Sequence, residues 1–295
     1  MKSIDWNSLR GFHATATTGT LSAAAQQLGL TQPTLSRQVK SLEEFLGLSL
    51  FDRVGRKLVL TETGAELLRH IDKMADAAQS VMLVANGSPK AVSGRVRVSA
   101  SDSYSAYVLP DICARLKAKA PLVSIEIIAS DTHANLHQME ADIAIRHARP
   151  EQPGLVGHHV GDTTAAFYAS TDWIKHNGVP STPEALAATD LIGFGDATRL
   201  AAMLRTLGFK VDPSDFRLMS DSSVVVWEMV KQGKGIAAMV KEIAILAPDV
   251  VNVFPDLAPI ASPIWLVTHK EMRSSPRIQV VHDLLARELA QLIAG

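Results

Sequence analysis

Pro33, Arg37, Lys40 and Ser41 fall on one face of any helix running through residues 32–46, and Gln32, Thr34 and Ser36 flank that face. An Arg guanidinium can hold guanine O6 and N7 as a bidentate pair, and a Gln amide can do the same for adenine. Hydroxyls and ammonium groups hold phosphate oxygens, which fixes position without reading sequence. The types and spacing therefore suit Gln32, Ser36 and Arg37 to base edges, and Thr31, Thr34 and Lys40 to phosphates. Glu43 and Glu44 sit in the second half of the segment, away from an end that would enter a major groove. The plainer alternative is a solvated amphipathic helix.

The elements that must hold this face are legible around it. Leu35, Val39, Leu42 and Leu46, spaced four, three and four apart, form the opposite, buried stripe. Thr31 stands where an N-cap belongs, with Pro33 in the first turn, where a missing N–H costs nothing. Upstream, a helix is expected from about Asp5 to Ala16, with Trp6, Leu9, Phe12 and His13 near helical spacing. After Gly19 comes a second helix capped by Thr20 or Ser22, where Ala23, Ala24, Ala25 and Leu28 permit close packing and Gly29 supplies the turn. Downstream, Arg53, Arg56 and Lys57 surround a Val54-Gly55 turn within Phe51–Leu60 and read as a basic wing over backbone or minor groove. These parts make a winged helix-turn-helix.

Charge agrees once it is divided. The whole chain is net −1, yet residues 1–60 hold seven Lys/Arg against four Asp/Glu, net +3, and residues 61–295 hold 22 against 26, net −4. A small basic head on a nearly neutral body suits local duplex contact. Composition, 47% hydrophobic and 20% charged over 295 residues, fits a globular chain with room for two domains. No apolar run reaches membrane-span length, and Asp5 stands where a signal peptide needs an apolar core, so a cytoplasmic protein without membrane contact is expected. The single cysteine, Cys113, excludes an intramolecular disulfide and is expected to pack in a helix core.

The head resembles that of the LysR-type transcriptional regulators. The residues that carry the likeness are Leu9-Arg10-Gly11-Phe12, Gly19 to Ala25, Thr31-Gln32-Pro33-Thr34-Leu35-Ser36-Arg37-Gln38, Leu42-Glu43, Leu50-Phe51-Asp52-Arg53 and Leu60 to Gly64. The resemblance implies DNA contacts at Thr31, Gln32, Pro33, Ser36, Arg37 and Arg53, with Arg56 matching less firmly because the wing tip varies. It extends along the whole chain. The implied organisation is an N-terminal winged helix-turn-helix (1–60), a long dimerisation helix and hinge (61–88), and a C-terminal α/β periplasmic-binding-protein-like domain (89–295) of two subdomains. Subdomain I is placed at about 89–163 and 267–295, subdomain II at about 164–266, and the crossovers near Thr163–Ala169 and Pro263–His269.

Between the two ends, Thr61 or Thr63 starts a helix without a breaker until Asn86-Gly87-Ser88-Pro89; Thr63-x-x-Glu66 fits a capping box. Leu67, Ile71, Met74, Ala78, Val81 and Ala85 alternate four and three apart as a heptad seam, although a packed intramolecular helix would show the same spacing. The resemblance implies pairing through this helix: a homodimer assembling to a homotetramer on an interrupted palindromic operator in double-stranded DNA. Contact with RNA polymerase stays open.

Past residue 93 strands alternate with helices. Val96–Ala100, Ile125–Ile128, Asp142–Ile145, Phe167-Tyr168, Leu191-Ile192, Ile236–Met239, Val250–Val253 and Ile264–Val267 read as strands of parallel α/β sheets. Leu109 to Ala118, a stretch between Ile128 and Asp142, and Pro276 to Ala294 read as helices. Ligands sit at the carboxyl ends of such strands. That rule selects Ser101, Ser103, Asp131, Thr132 and Arg146 from the first subdomain, and Phe194, Asp196 and Ser222 from the second. The resemblance places effector contacts at Ser101, Ser103 and Thr132. Arg146 can clamp a carboxylate, so the effector is expected to be an organic acid or amino acid. Each hydroxyl can instead be a helix cap, and Arg146 can instead pair with a nearby acid.

No cofactor or metal is expected. His133, His137, His147, His158 and His159 lack a metal-ligand pattern, and Gly233-Lys234-Gly235 lacks phosphate-loop spacing and reads as a helix stop. An enzyme is not expected either, since nucleophile-elbow, dinucleotide and metal motifs are missing. A solute-binding protein would share the C-terminal fold, but the fused reading head opposes it.

Overall fold

The computed structural model describes residues 4–54, 57–85, 92–131, 141–185 and 190–294. Two compact units result, Met1–Val92 and Ser93–Gly295.

In the first unit, α1 (Trp6–Thr18), α2 (Leu21–Leu28) and α3 (Gln32–Leu46) are followed by a hairpin of β1 (Phe51–Val54) and β2 (Lys57–Leu60), and then by α4 (Glu62–Ala85). Local chemistry sets each boundary. Asp5 caps α1, accepting from the Ser8 N–H at 3.1 Å, and Thr20, rather than Ser22, caps α2, accepting from Ala23 N–H at 3.2 Å. Gly29, at φ 66°, supplies the left-handed residue that lets α3 leave α2 at a sharp angle. Leu9, Phe12, Leu42, Leu50, Leu68 and Ile71 pack as one core, while Ala14, Ala24, Ala25 and Leu35 form a second, where methyl-sized residues bring α2 close to its neighbours.

The start of α4 differs from the expected capping box. Thr61, not Thr63, caps it: its hydroxyl accepts from Gly64 N–H at 3.0 Å and donates to the Ser49 carbonyl at 2.8 Å. A side chain at Gly64 would overlap the Leu50 carbonyl oxygen, so α4 can sit this near the hairpin only with glycine there. The seam also divides. Ile71 is buried in the head's own core with Leu67 packed against that core, whereas Met74 and Ala78 are exposed. The intramolecular alternative thus holds for the first turns of the helix, because α1 covers them.

The second unit is built on a mixed sheet in the order β10-β6-β11-β5-β3-β4, with β9 also paired to β6. The parallel part comprises β3 (Gly94–Ala100), β4 (Val123–Ala129) and β5 (Ile143–Arg146). Helices α5 (Asp102–Tyr107), α6 (Leu109–Lys119) and α11 (Pro276–Ala294) belong to it. Two long strands, β6 (Leu155–Ser170) and β11 (Ile260–His269), run antiparallel and carry the chain between halves. The first begins at Leu155, eight residues before the expected Thr163, since its outer end is rich in Gly and His and lacks an apolar alternation.

The remaining elements are α7 (Thr171–Asn177), β7 (Ile192–Phe194), α8 (Ala197–Thr206), β8 (Leu218–Ser220), α9 (Ser223–Lys231), β9 (Ala237–Val240), α10 (Lys241–Ala244) and β10 (Val250–Asn252). Strands β7 and β8 pair in parallel, but β6, β9, β10 and β11 pair antiparallel, against the expectation of parallel strands throughout. Apolar runs report burial and not direction, which explains the difference. Phe167, Trp173, Leu204, Phe209, Phe216 and Phe254 fill this half. Cys113 is half-buried on α6, and burial pushes its thiol pKa up, so it stays protonated. Gly233 and Lys234 turn the chain at the end of α9, with the Lys234 N–H donating to the Met229 carbonyl. The helix expected between Ile128 and Asp142, with His133 and His137, lies outside the described residues, as does most of the hinge from Asn86 to Ser93.

Candidate nucleic-acid interface and ligand cleft

Helix α3 presents its polar face as its spacing requires. Leu35, Val39 and Leu42 are buried, while Thr31, Gln32, Pro33, Thr34, Arg37 and Lys40 are exposed and Ser36 is half-exposed. Thr31 caps the helix, accepting from Thr34 N–H at 3.4 Å, and its hydroxyl lies 2.8 Å from that of Thr34. The two hydroxyls thus sit together at the N-terminal end of the helix, where the dipole favours an anion. Gln32 accepts from the Ser22 hydroxyl at 3.3 Å, which leaves its amide N–H groups outward. Arg37 has no hydrogen bond or ion pair among the described residues. Lys40 differs, because it reaches Glu44 at 3.4 Å one turn on, an exposed pair worth little in water.

The acids of α3 have separate tasks. Glu43 turns inward, and its carboxylate accepts from the N–H groups of Leu50 at 2.8 Å and Phe51 at 3.3 Å. It therefore fixes the first strand of the hairpin to the reading helix. The sequence marked Glu43 as an acid held back from phosphate and as part of the family likeness, but not as a partner of the hairpin; the apolar Leu50-Phe51 pair next to a Gly-Leu-Ser turn was the signal for a half-buried acceptor. Phe12 and Phe51 rings, 5.3 Å apart, tie the same strand to α1. Strand β1 carries Arg53, whose side chain lies outside the described residues, and Arg56 lies outside them altogether.

In the second unit a cavity of about 360 Å³ opens between the two halves. Ser101, Ser103, Asp131, Arg146 and Phe194 line it. Thr132 lies outside the described residues. Asp196 and Ser222 are not in the lining. Asp196 caps α8, accepting from Arg199 N–H at 2.7 Å, and the Ser222 hydroxyl donates to Asp102 at 2.6 Å. Its neighbour Ser223 takes the lining position.

Asp131 joins the halves. One carboxylate oxygen accepts from Asp102 N–H at 3.1 Å and the other from Ser223 N–H at 2.6 Å, while Ser103 N–H donates to the Ser223 hydroxyl at 2.9 Å. The result is a hydrogen-bonded seam between α5 and α9. Arg146 donates to the Ile145 carbonyl at 2.8 Å and the Ser99 hydroxyl at 2.9 Å, and has no ion pair among the described residues. Burial lowers its pKa and the Asp131 charge opposes that shift. The group stays cationic, because a guanidinium does not deprotonate in proteins.

Several cleft residues escaped the sequence reading. Tyr104 lines the wall and donates to Glu242, whose other oxygen accepts from Thr163 at 2.7 Å. Burial, then the Glu242 charge, pushes the Tyr104 hydroxyl far above its usual value, so it acts as a donor at any working pH. His147 stands beside it, ring edge towards Tyr104 at 5.1 Å, with Nδ1 3.0 Å from the Ser262 hydroxyl. Burial holds its pKa below the ordinary 6.5, against the pull of Glu242 and Asp131 and with the push of Arg146. His158 instead stacks on His282 at 5.2 Å and His159 meets Asp162 at 3.0 Å, so these three histidines serve separate contacts. Among the described residues no group of metal-ligating side chains gathers, and no helix is long and apolar enough to cross a membrane.

Comparison with known proteins agrees with both halves of this description. Residues 6–65 match the family of bacterial regulatory helix-turn-helix proteins of the lysR type, and residues 89–290 match the LysR substrate binding domain. The transcriptional regulator CrgA of Neisseria meningitidis is 28% identical over 290 residues, 94% of each chain. The structure of ArgP from Mycobacterium tuberculosis superposes with a TM-score of 0.71 at 19% identity over 97% of both chains. CbnR, solved in complex with its target DNA, gives a TM-score of 0.57 at 17% identity, covering 96% of this chain and 99% of its own. With a reading head, an effector-type domain and matches that run nearly from end to end, the chain belongs to the LysR-type transcriptional regulators, DNA-binding proteins of transcription control rather than a family of enzymes.

Proposed function

We propose that this protein binds an interrupted palindromic operator through α3 and the hairpin, and that a small organic acid in the cleft of the second unit switches promoter activity. The observation that carries the reading is the pairing of two unfilled cationic groups: Arg37, exposed on α3, and Arg146, half-buried in a cavity with no ion pair among the described residues. Each has room for a direct anionic partner that no described residue supplies, a base edge or phosphate for the first and a carboxylate for the second. That CbnR, which shares the fold, was solved in complex with its target DNA supports DNA as the partner of the first unit.

Pairing of two chains uses the outer part of α4, where exposed Met74 and Ala78 continue a heptad register beyond the head's own core. Two heads then match two half-sites, and linkage multiplies a weak single-head affinity. The dimer doubles to a tetramer on DNA. For the ligand to switch anything, it must bind the two DNA-bound arrangements unequally, since tight binding to both shifts nothing.

The test is footprinting of the full chain on operator fragments selected from its genome, with and without ligand. Arg146→Ala is expected to keep basal protection and lose the ligand response. An unchanged response removes Arg146 from the site, and no protected fragment anywhere removes the DNA assignment.

A further inference from the structure

The cavity is polarised. Its cation and most of its hydroxyls, Arg146 with Ser101, Ser103, Tyr104 and Ser130, come from β5, the start of α5 and the ends of β3 and β4, while the described side chains of the opposite wall, Ser223 apart, are hydrocarbon and thioether. Phe167, Ile192, Leu204, Val226 and Met239 are each at most 6% exposed and face the same space, joined by half-exposed Met203. A ligand lying across it meets one charged end and one oily end. Burying hydrocarbon against that wall is favourable. Burying a second charge there is costly, because no described side chain of that wall carries a charge to pair with it.

The polar end discriminates further. Two of the donors of Arg146 are engaged by Ile145 and Ser99, and the remaining N–H groups of the fork are left for a ligand. Among the described residues Asp131 is the one acid in the lining, and each of its oxygens already accepts a backbone N–H across the seam. An ammonium group placed beside it would share the carboxylate that joins α5 to α9 and would sit near the Arg146 cation, whose like charge repels it. His147, kept neutral by burial, adds no second positive charge.

From this, and resting on the cleft reading above, we propose that the effector is a hydrophobic monocarboxylic acid: one carboxylate on an aromatic or branched hydrocarbon body, with no second charge. Its carboxylate meets Arg146 and the Ser101 and Ser103 hydroxyls. Its body fills the space between Phe167, Met203 and Met239. That choice excludes amino acids, which the sequence alone left open, and dicarboxylates.

The test is calorimetric titration of the full-length protein with benzoate, phenylacetate, 3-phenylpropanoate and hexanoate. The comparison ligands are the matching primary amides, succinate, glutarate, phenylalanine and leucine. At least one monocarboxylate is expected to bind saturably, and its amide at least about tenfold more weakly, the loss of a charge-assisted bidentate contact. Arg146→Gln should impose a similar loss on the acid and little on the amide. Met203→Trp, which fills the oily end, should abolish both. Acid and amide binding equally, a dicarboxylate or amino acid binding best, or no monocarboxylate binding overturns the proposal. The cleft reading fails separately: a ligand of any class whose binding ignores both Arg146→Gln and Met203→Trp sits elsewhere. A dicarboxylate or amino acid weakened by those variants keeps the cleft and sinks only the ligand class.

Discussion

The reading face of α3 and the ligand cleft use the same chemistry, cations and hydroxyls awaiting an anion, but they are assembled in opposite ways. The face is local. Every group from Thr31 to Lys40 lies within ten residues, and one helical period brings them to one side. The cleft draws on Ser101, Arg146, Met203 and Met239, which only the crossing of β6 and β11 brings together. A local surface tolerates change at one residue with graded loss, whereas an assembled cavity depends on its seams.

The largest expected effect tests whether the two regions are independent. Phe12→Ala empties a fully buried site and should cost about 3–5 kcal/mol. Denaturation and DNA binding should both register it, while ligand binding by the second unit persists. Equal damage to both would show that the regions are not separable.

Arg37→Ala comes next, with an expected loss of about 1–3 kcal/mol on the operator and relaxed preference at one base position. Competition between operator and random DNA measures it. Losses equal on the two DNAs would reassign Arg37 to phosphate.

The cleft answers instead to pH. His147 has a depressed pKa in the folded state, so below the ordinary 6.5 the unfolded chain takes up a proton that the folded chain refuses. Its contribution to stability is present above that value and is lost as pH falls, with a slope of at most about 1.4 kcal/mol per pH unit. His147→Gln should flatten urea-denaturation stability between pH 6.5 and 5 without touching DNA binding at pH 7.5. A slope identical in variant and parent would show that other groups govern acid sensitivity.

Smallest is Lys40→Ala, which removes an exposed ammonium 3.4 Å from Glu44. It should weaken all DNA alike and reduce the salt slope by about one at most.

What was legible in the sequence follows the same division. The cap Thr31, the stripe Leu35-Val39-Leu42 and the outward Arg37 follow from residue type and period alone, whereas the choice of Thr20 over Ser22 needed the structure. In the second unit, strand positions were legible from apolar runs, but direction was not, since pairing partners lie as far apart as Ile260 and Ala165. The strand-end rule selected Ser101, Ser103 and Arg146, which line the cavity at or just past the ends of parallel β3 and β5. It chose Ser222 over Ser223 by one position at a helix start. It had no means to find Tyr104, His147 or the oily wall, which face the cavity only because two halves close around it.

The Thr61 hydroxyl, bonded to the Ser49 carbonyl on one side and the Gly64 N–H on the other, has a mechanical consequence. Together with Glu43 it leaves the reading helix, hairpin and long helix no slack between them. In the dimer proposed above, a twist applied along α4 would turn the outward side chains of α3 through the same angle, so torsion of the proposed helix pair, and not a swivelling head, would set the spacing of two half-sites.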